Sequence, residues 1–226
     1  MKKLLTITTA AAGLAVLMAG PAMADPLDTT FSVTTYSGSN TGGESDPTQQ
    51  ALPSGRDAIT AKPYTTGTFT FTGKLNLDRS SGSGTISDFF ASAPAGSTTT
   101  GTVPTTVMST DGFKTETLMV FTFSTASEIK GSITHDDGIS IYNAGKTGIS
   151  DQKLVSAAPT KSLATSFDLL AGTYDLYYLE ANGLPAVLNF NVTSRAIVPT
   201  PEPVSMALLG TGLLGLGLAR RRIGRA

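Results

Sequence analysis

The chain has 226 residues, one histidine (His135), no cysteine, no tryptophan and a formal net charge of −1. Disulfides, thiol catalysis, Fe–S clusters, cysteine zinc sites and any site built on two histidines are thereby excluded. Six of the 16 basic residues (Lys2, Lys3, Arg220, Arg221, Arg222 and Arg225) sit at the ends, so the 174 residues of 25–198 carry a net charge of −6. That middle is long enough for one domain with a sizeable core, and its acidic balance has no electrostatic footprint for nucleic acid.

Residues 1–24 read as a secretory signal peptide with a signal helix. Lys2 and Lys3 form the positive start, Leu4 to Met18 the apolar stretch, and Ala22 and Ala24 the small residues that signal peptidase requires. Cleavage is expected before Asp25. The mature domain is expected over 25–196. Charged residues make up only 15% of the chain while Gly, Ser and Thr abound, a composition that suits an exported β-rich protein.

Within that domain the pattern is all-β. Segments Thr29–Tyr36, Gly67–Leu77, Glu116–Phe123, Glu128–Thr134, Gly138–Tyr142, Ser166–Leu169, Thr173–Glu180 and Ala186–Val192 alternate with period two or are rich in β-branched and aromatic residues. Phe69 and Phe71 should share one face of their strand, and Phe121 and Phe123 one face of theirs. Ile139, Ile141, Leu176 and Phe190 are likewise expected to point inward. No segment outside the ends sustains a helical period, and 37–58 and 91–112 read as long polar loops. Eight short strands predict an antiparallel β-sandwich, jelly-roll-like in arrangement.

Residues 197–226 form a second address. Pro201-Glu202-Pro203 precedes the 16-residue apolar run Val204 to Ala219, and Arg220-Arg221-Arg222 follows. As a hydrophobic helix that run spans ~24 Å, a little short of a ~30 Å hydrocarbon core. The arginines are expected to stay cytoplasmic and the domain to face outward. A plain C-terminal anchor would account for the helix and the arginines but not for Pro-Glu-Pro. The three parts in this order resemble the PEP-CTERM sorting signal of Gram-negative bacteria. The resemblance implies recognition and removal of the tail by exosortase, an inner-membrane intermediate, and delivery to the cell surface or an exopolysaccharide matrix.

The residues with most potential chemistry lie in the second half. Asp136-Asp137-Gly138 makes a strand-end turn dense in oxygen ligands of the kind Ca²⁺ prefers. Ala181-Asn182-Gly183 offers an amide oxygen at a second turn, 45 residues after Asp137. Each is also an ordinary turn sequence. Adjacent carboxylates suit one cation better than the separated acid and base of a glycosidase, and no nucleophile motif is visible, so a non-enzymatic role is expected. The lone His135 reads as a strand-end residue, and Tyr174, Tyr177 and Tyr178 read as packing.

From Asp-Asp-Gly through the apolar-Tyr strand, Asn143-x-Gly145, Ala171-Gly172-x-Tyr174, Glu180, Asn182 and the closing strand, residues 116–192 resemble the protective-antigen-type sandwich of toxins, glycosidases and flocculins. In its lectin members two aspartates joined by a cis peptide, with a later asparagine, hold Ca²⁺ against a sugar diol. The resemblance implies Asp136, Asp137 and Asn182 as metal and carbohydrate ligands, with carbonyls near Leu184 and Ala186. Aromatic stacking would come from Tyr142, Tyr177 or Tyr178. The expectation is a Ca²⁺-dependent, lectin-like adhesion module that binds a polysaccharide or glycan. The alternative is a structural matrix protein without a specific ligand site.

Overall fold

The computed structural model describes residues 24–81, 84–196 and Thr211. The signal helix, Ala22, Pro201, Glu202, Pro203, Arg220 to Arg222 and, Thr211 apart, the apolar tail lie outside them. Among the described residues no helix is long and apolar enough to cross a membrane.

Among the described residues, twelve strands form two antiparallel sheets. They are β1 (Asp25–Pro26), β2 (Asp28–Ser39), β3 (Tyr64–Lys74), β4 (Asn76–Arg79), β5 (Thr98–Thr100), β6 (Thr115–Thr125), β7 (Ile129–Asp136), β8 (Gly138–Asn143), β9 (Gln152–Ser156), β10 (Leu163–Leu169), β11 (Gly172–Glu180) and β12 (Ala186–Arg195). The seven-stranded sheet runs β5-β3-β2-β6-β11-β8-β9. The five-stranded sheet runs β1-β12-β7-β10, with β4 also paired to β12. The protein is an all-β antiparallel sandwich.

Its core follows from the period-two patterning. Phe69, Phe71, Phe121, Phe123, Ile139, Ile141, Leu176 and Phe190 are all buried between the sheets, while Thr68 and Thr72 alternate outward. A slip of one residue would have inverted all of them. The expected strand Gly67–Leu77 is two strands in different sheets. β3 and β4 meet at Leu75, whose backbone bonds both Leu27 and Phe190, so the chain changes layer there.

The two expected loops are only partly loops. β2 continues to Ser39, a 3₁₀ turn spans Gly43–Ser45, and helix α1 occupies Pro53–Thr60; β5 falls within 91–112. A second helix, α2, spans Ile86–Ala91. Both helices are too short, at eight and six residues, to display a helical period. α2 begins at Thr85, whose hydroxyl accepts from the Asp88 N–H at 3.1 Å. It drives Phe89 and Phe90 into the core. Phe90 lies edge-on to Phe69 at 4.8 Å, and Phe89 stacks on Tyr178 at 5.7 Å. α1 and the segment before it cover part of the outer face of the seven-stranded sheet, burying Ala51 and Ile59 with Leu118, Tyr142, Tyr177 and Leu179. β11 is therefore buried on both faces from Tyr174 onward.

Candidate functional site: a pocket at the crossover end

Two layer changes occur side by side. β7 ends at Asp136 in the five-stranded sheet, and β8 begins at Gly138 in the seven-stranded sheet. β11 ends at Glu180 in the seven-stranded sheet, and β12 begins at Ala186 in the other. Val187 pairs with Asp136 and Leu179 with Gly138. The registers of both sheets thus bring Asp137 beside residues 181–185, although 45 residues separate Asp137 from Asn182. Asp136, Asp137, Asn182, Gly183, Leu184 and Pro185 line one pocket of about 350 Å³. The Asp136–Asp137 and Leu184–Pro185 peptide bonds are both cis.

Asp137 is the more deeply held carboxylate. Its Oδ2 accepts from the Ala181 N–H at 2.8 Å, and backbone N–H groups of Asn182 and Thr160 also bond it. Burial nevertheless pushes its pKa up to about 6, and the neighbouring Asp136 charge adds to the rise. Asp136 is raised by burial too, against a backbone bond from Ser162. The Asn182 Oδ1 accepts from the Gly112 N–H at 2.8 Å, which leaves its second lone pair free. Gly183 sits at φ +83, and a Cβ there would lie 2.2 Å from the Asp111 Oδ1. A side chain at that turn would be strained by the positive φ and would push the Asp111 carboxylate aside.

A buried polar chain supports this end from behind. Tyr178 donates to the Asp136 carbonyl at 2.5 Å and lies 3.1 Å from the Glu180 Oε2. Burial holds Glu180 well above the ordinary carboxylate range, and the Asp137 charge adds to the rise. Ser109 donates to the Glu180 Oε1 at 2.8 Å and accepts from the Gly183 N–H at 2.8 Å. One connected network thus fixes both crossovers. His135 belongs to the same frame. Burial lowers its pKa. Its Nδ1–H donates to the Asp137 carbonyl at 2.6 Å, and its Nε2 accepts from Thr165 at 2.8 Å. This is the strand-end role expected for it.

The donor set fits a hard cation in kind: two carboxylates and an amide oxygen, with backbone carbonyls nearby. It is sparse in charge. No cluster of three or more His, Cys, Asp or Glu side chains suited to a metal occurs among the described residues. Asp137 is already engaged by the Ala181 N–H, which leaves Asp136 the more available carboxylate.

Tyr142 does not join the pocket. It is 4% exposed, lies edge-on to Tyr177 at 5.8 Å, and accepts from the Gln152 amide at 2.8 Å. Tyr177 and Tyr178 are buried as well. α1 and its preceding segment cover the face of Tyr142 and Tyr177, which period-two patterning alone could not reveal, while Tyr178 points into the core between the sheets. The aromatic residue that does line the pocket is Phe113, joined by Glu44, Pro159, Thr160 and Lys161. Nothing in its local sequence, Asp111-Gly112-Phe113-Lys114, distinguishes it from an ordinary turn.

Residues 199–222 match the family model described as the PEP-CTERM protein-sorting motif. The chain carries a PEP-CTERM sorting motif. The motif implies export and a cell-surface or extracellular location. Among solved structures, the fold is similar to a "PA14 sugar-binding domain from RTX adhesin", with 14% identity, a TM-score of 0.45, and coverage of 74% of this chain and 98% of that one. It is also similar to the PA14 domain of MpAFP antifreeze protein, with 15% identity, a TM-score of 0.40, and coverage of 73% and 82%. No curated protein matches the chain.

Proposed function

We propose that this PEP-CTERM protein is a non-enzymatic, lectin-like adhesion module whose pocket binds a glycan through Ca²⁺ held by Asp136, Asp137 and Asn182. In this reading it is exported from a Gram-negative bacterium, passes through an inner-membrane intermediate, and is released by exosortase to the cell surface or the extracellular matrix. The observation that carries the reading is the meeting of three oxygen-bearing side chains from distant crossovers in one open pocket. Two adjacent carboxylates, both raised by burial and Asp137 also by the Asp136 charge, are a costly arrangement that a divalent cation would relieve. The cation's part would be to accept sugar hydroxyls as ligands. The chain's part is to hold the donors in place through the Tyr178–Glu180–Ser109 network.

The test is thermal unfolding of the full-length protein with millimolar Ca²⁺ and with chelator, together with a glycan array under both conditions. Ca²⁺ should raise the Tm by mass action and be required for glycan binding. Asp136→Asn is the cleaner variant, because Asp137 also anchors backbone N–H groups of two loops. It should abolish the Ca²⁺ response while leaving the chelated Tm close to that of the parent. A Tm and an array indifferent to Ca²⁺ would support the second reading, a matrix protein without a specific ligand. That reading draws on the three backbone bonds to Asp137, which give this carboxylate a structural role without any metal.

A further inference from the structure

The pocket has an aromatic wall that the sandwich builds in an unusual way. Among the described residues, Phe113 is the one non-glycine with positive φ, at 57°. The left-handed region is unfavourable for a bulky side chain, so the surrounding structure must hold it there. Thr110 and Thr115 close the turn by a β-bridge, with their hydroxyls 2.9 Å apart, and Gly112 precedes Phe113 at φ +80. Two bonds clamp this turn to its neighbours. The Gly112 N–H reaches Asn182 at 2.8 Å, and the Lys114 carbonyl accepts from the Asn40 N–H at 2.8 Å.

The result is a half-buried ring. Part of it packs on the cluster that contains Leu179 and Ala181, and the rest lines the pocket beside Asn182, Leu184 and Pro185. A pyranose has a hydroxylated edge and apolar C–H faces. A cation and carboxylates can satisfy the edge, while a face needs an apolar partner of similar size. The three tyrosines are buried elsewhere, so Phe113 is the aromatic group in position to serve.

We propose that Phe113 is the specificity-determining wall of this site: the ring on which the C–H face of a hexopyranose rests while its vicinal hydroxyls meet the cation. The inference rests on the proposed function above. It also commits to the kind of ligand. A pocket of about 350 Å³ lies at the small end of the ~300–1,000 Å³ range of ligand pockets. It suits a terminal sugar or short branch rather than the interior of a long chain.

The test uses the full-length protein with Phe113→Asn, Phe113→Gly and Phe113→Trp. Asn and Gly tolerate the left-handed backbone and remove the ring; Trp keeps an aromatic face. Ca²⁺ binding is measured by calorimetry without sugar. Affinity is then measured with Ca²⁺ for methyl α-mannopyranoside, methyl α-glucopyranoside and methyl β-galactopyranoside. The wild type should bind at least one glycoside. Phe113→Asn and Phe113→Gly should weaken that binding by about tenfold or more, and Phe113→Trp should retain it. Ca²⁺ affinity in all three should stay within about twofold of wild type, well under the factor of ten that one lost contact represents. Wild-type sugar affinity in Phe113→Asn and Phe113→Gly overturns the inference, as does a wild type that binds Ca²⁺ but none of the glycosides. A wild type that binds no Ca²⁺ overturns the cation reading itself, and the calorimetry separates that failure from the others.

Discussion

Glu116 should make the fold weaken as the solution turns alkaline. Its side chain is 1% exposed, on the outer face of the seven-stranded sheet beneath the segment that leads into α1. The Gln49 amide donates to its Oε2 at 3.0 Å, while its Oε1 is buried without a hydrogen-bond partner. Lys62 pulls its pKa down and Asp46 pushes it up, but burial dominates and raises it from 4.5 to about 7. The folded state therefore holds this proton more tightly than the unfolded chain. Its stabilising contribution is complete below the unfolded value of 4.5 and is lost as pH rises through about 7. At 1.36 kcal/mol per pKa unit, the loss amounts to ~3 kcal/mol by pH 8.5. Glu116→Gln removes the titration at nearly constant volume. Urea unfolding of both proteins at half-unit steps from pH 4 to 8.5 isolates the effect, because every other group cancels in the difference. The stability of the variant relative to the parent should climb across pH 4.5–7 and level off above it. A difference that stays flat with pH would refute the reasoning, since it would mean that Glu116 ionises in the fold as easily as in water.

Other perturbations test other links in the argument. Phe90→Ala should cost about 3–5 kcal/mol in denaturant unfolding, because the ring fills the space between Phe69, Phe71, Phe89 and Phe121. A Cβ at Gly138 would lie 2.2 Å from the Ala157 carbonyl oxygen. Gly138→Ala should therefore force β8 away from its neighbour and destabilise by at least about 1–3 kcal/mol, seen as a lower urea midpoint. Mass spectrometry of the exported protein should find an N-terminus near Asp25 and no peptide containing Arg220-Arg221-Arg222; recovery of an intact C-terminus would favour a plain anchor.

Much of the sandwich was legible because its inner faces obey a strict period of two. Phe69 with Phe71 and Phe121 with Phe123 each announce one buried face, and the structure buries them all. The elements that escaped notice are those whose form depends on partners distant in sequence. α1 has a single well-buried large apolar residue, Ile59, and is helical because the outer face of β11 needs a cover. α2 carries adjacent Phe89 and Phe90, which resemble a strand fragment until both rings are seen to enter the core. β9 offers only Leu154 as a buried apolar side chain and owes its conformation to pairing with β8. At the site, Asp136, Asp137 and Asn182 could be named from residue type and turn context. Phe113 could not, since its position depends on a backbone conformation that Phe rarely adopts. Tyr142 lies away from the pocket because the face it occupies is covered by Ala51 and Ile59, from chain distant in sequence.

The place of β12 has a consequence for how the molecule is assembled. The final described strand lies inside the five-stranded sheet, with β7 along one edge and both β1 and β4 along the other. A chain emerging N-terminus first cannot close that layer until Arg195 is through. Until then β1, β4 and β7 present unpaired edges, the state in which strands recruit the wrong neighbours. Only residues 196–198 separate Arg195 from the start of the sorting motif at 199, a reach of at most about 11 Å when fully extended. A protease or transpeptidase that cut at the start of the motif would operate within a few residues of that completed β-layer.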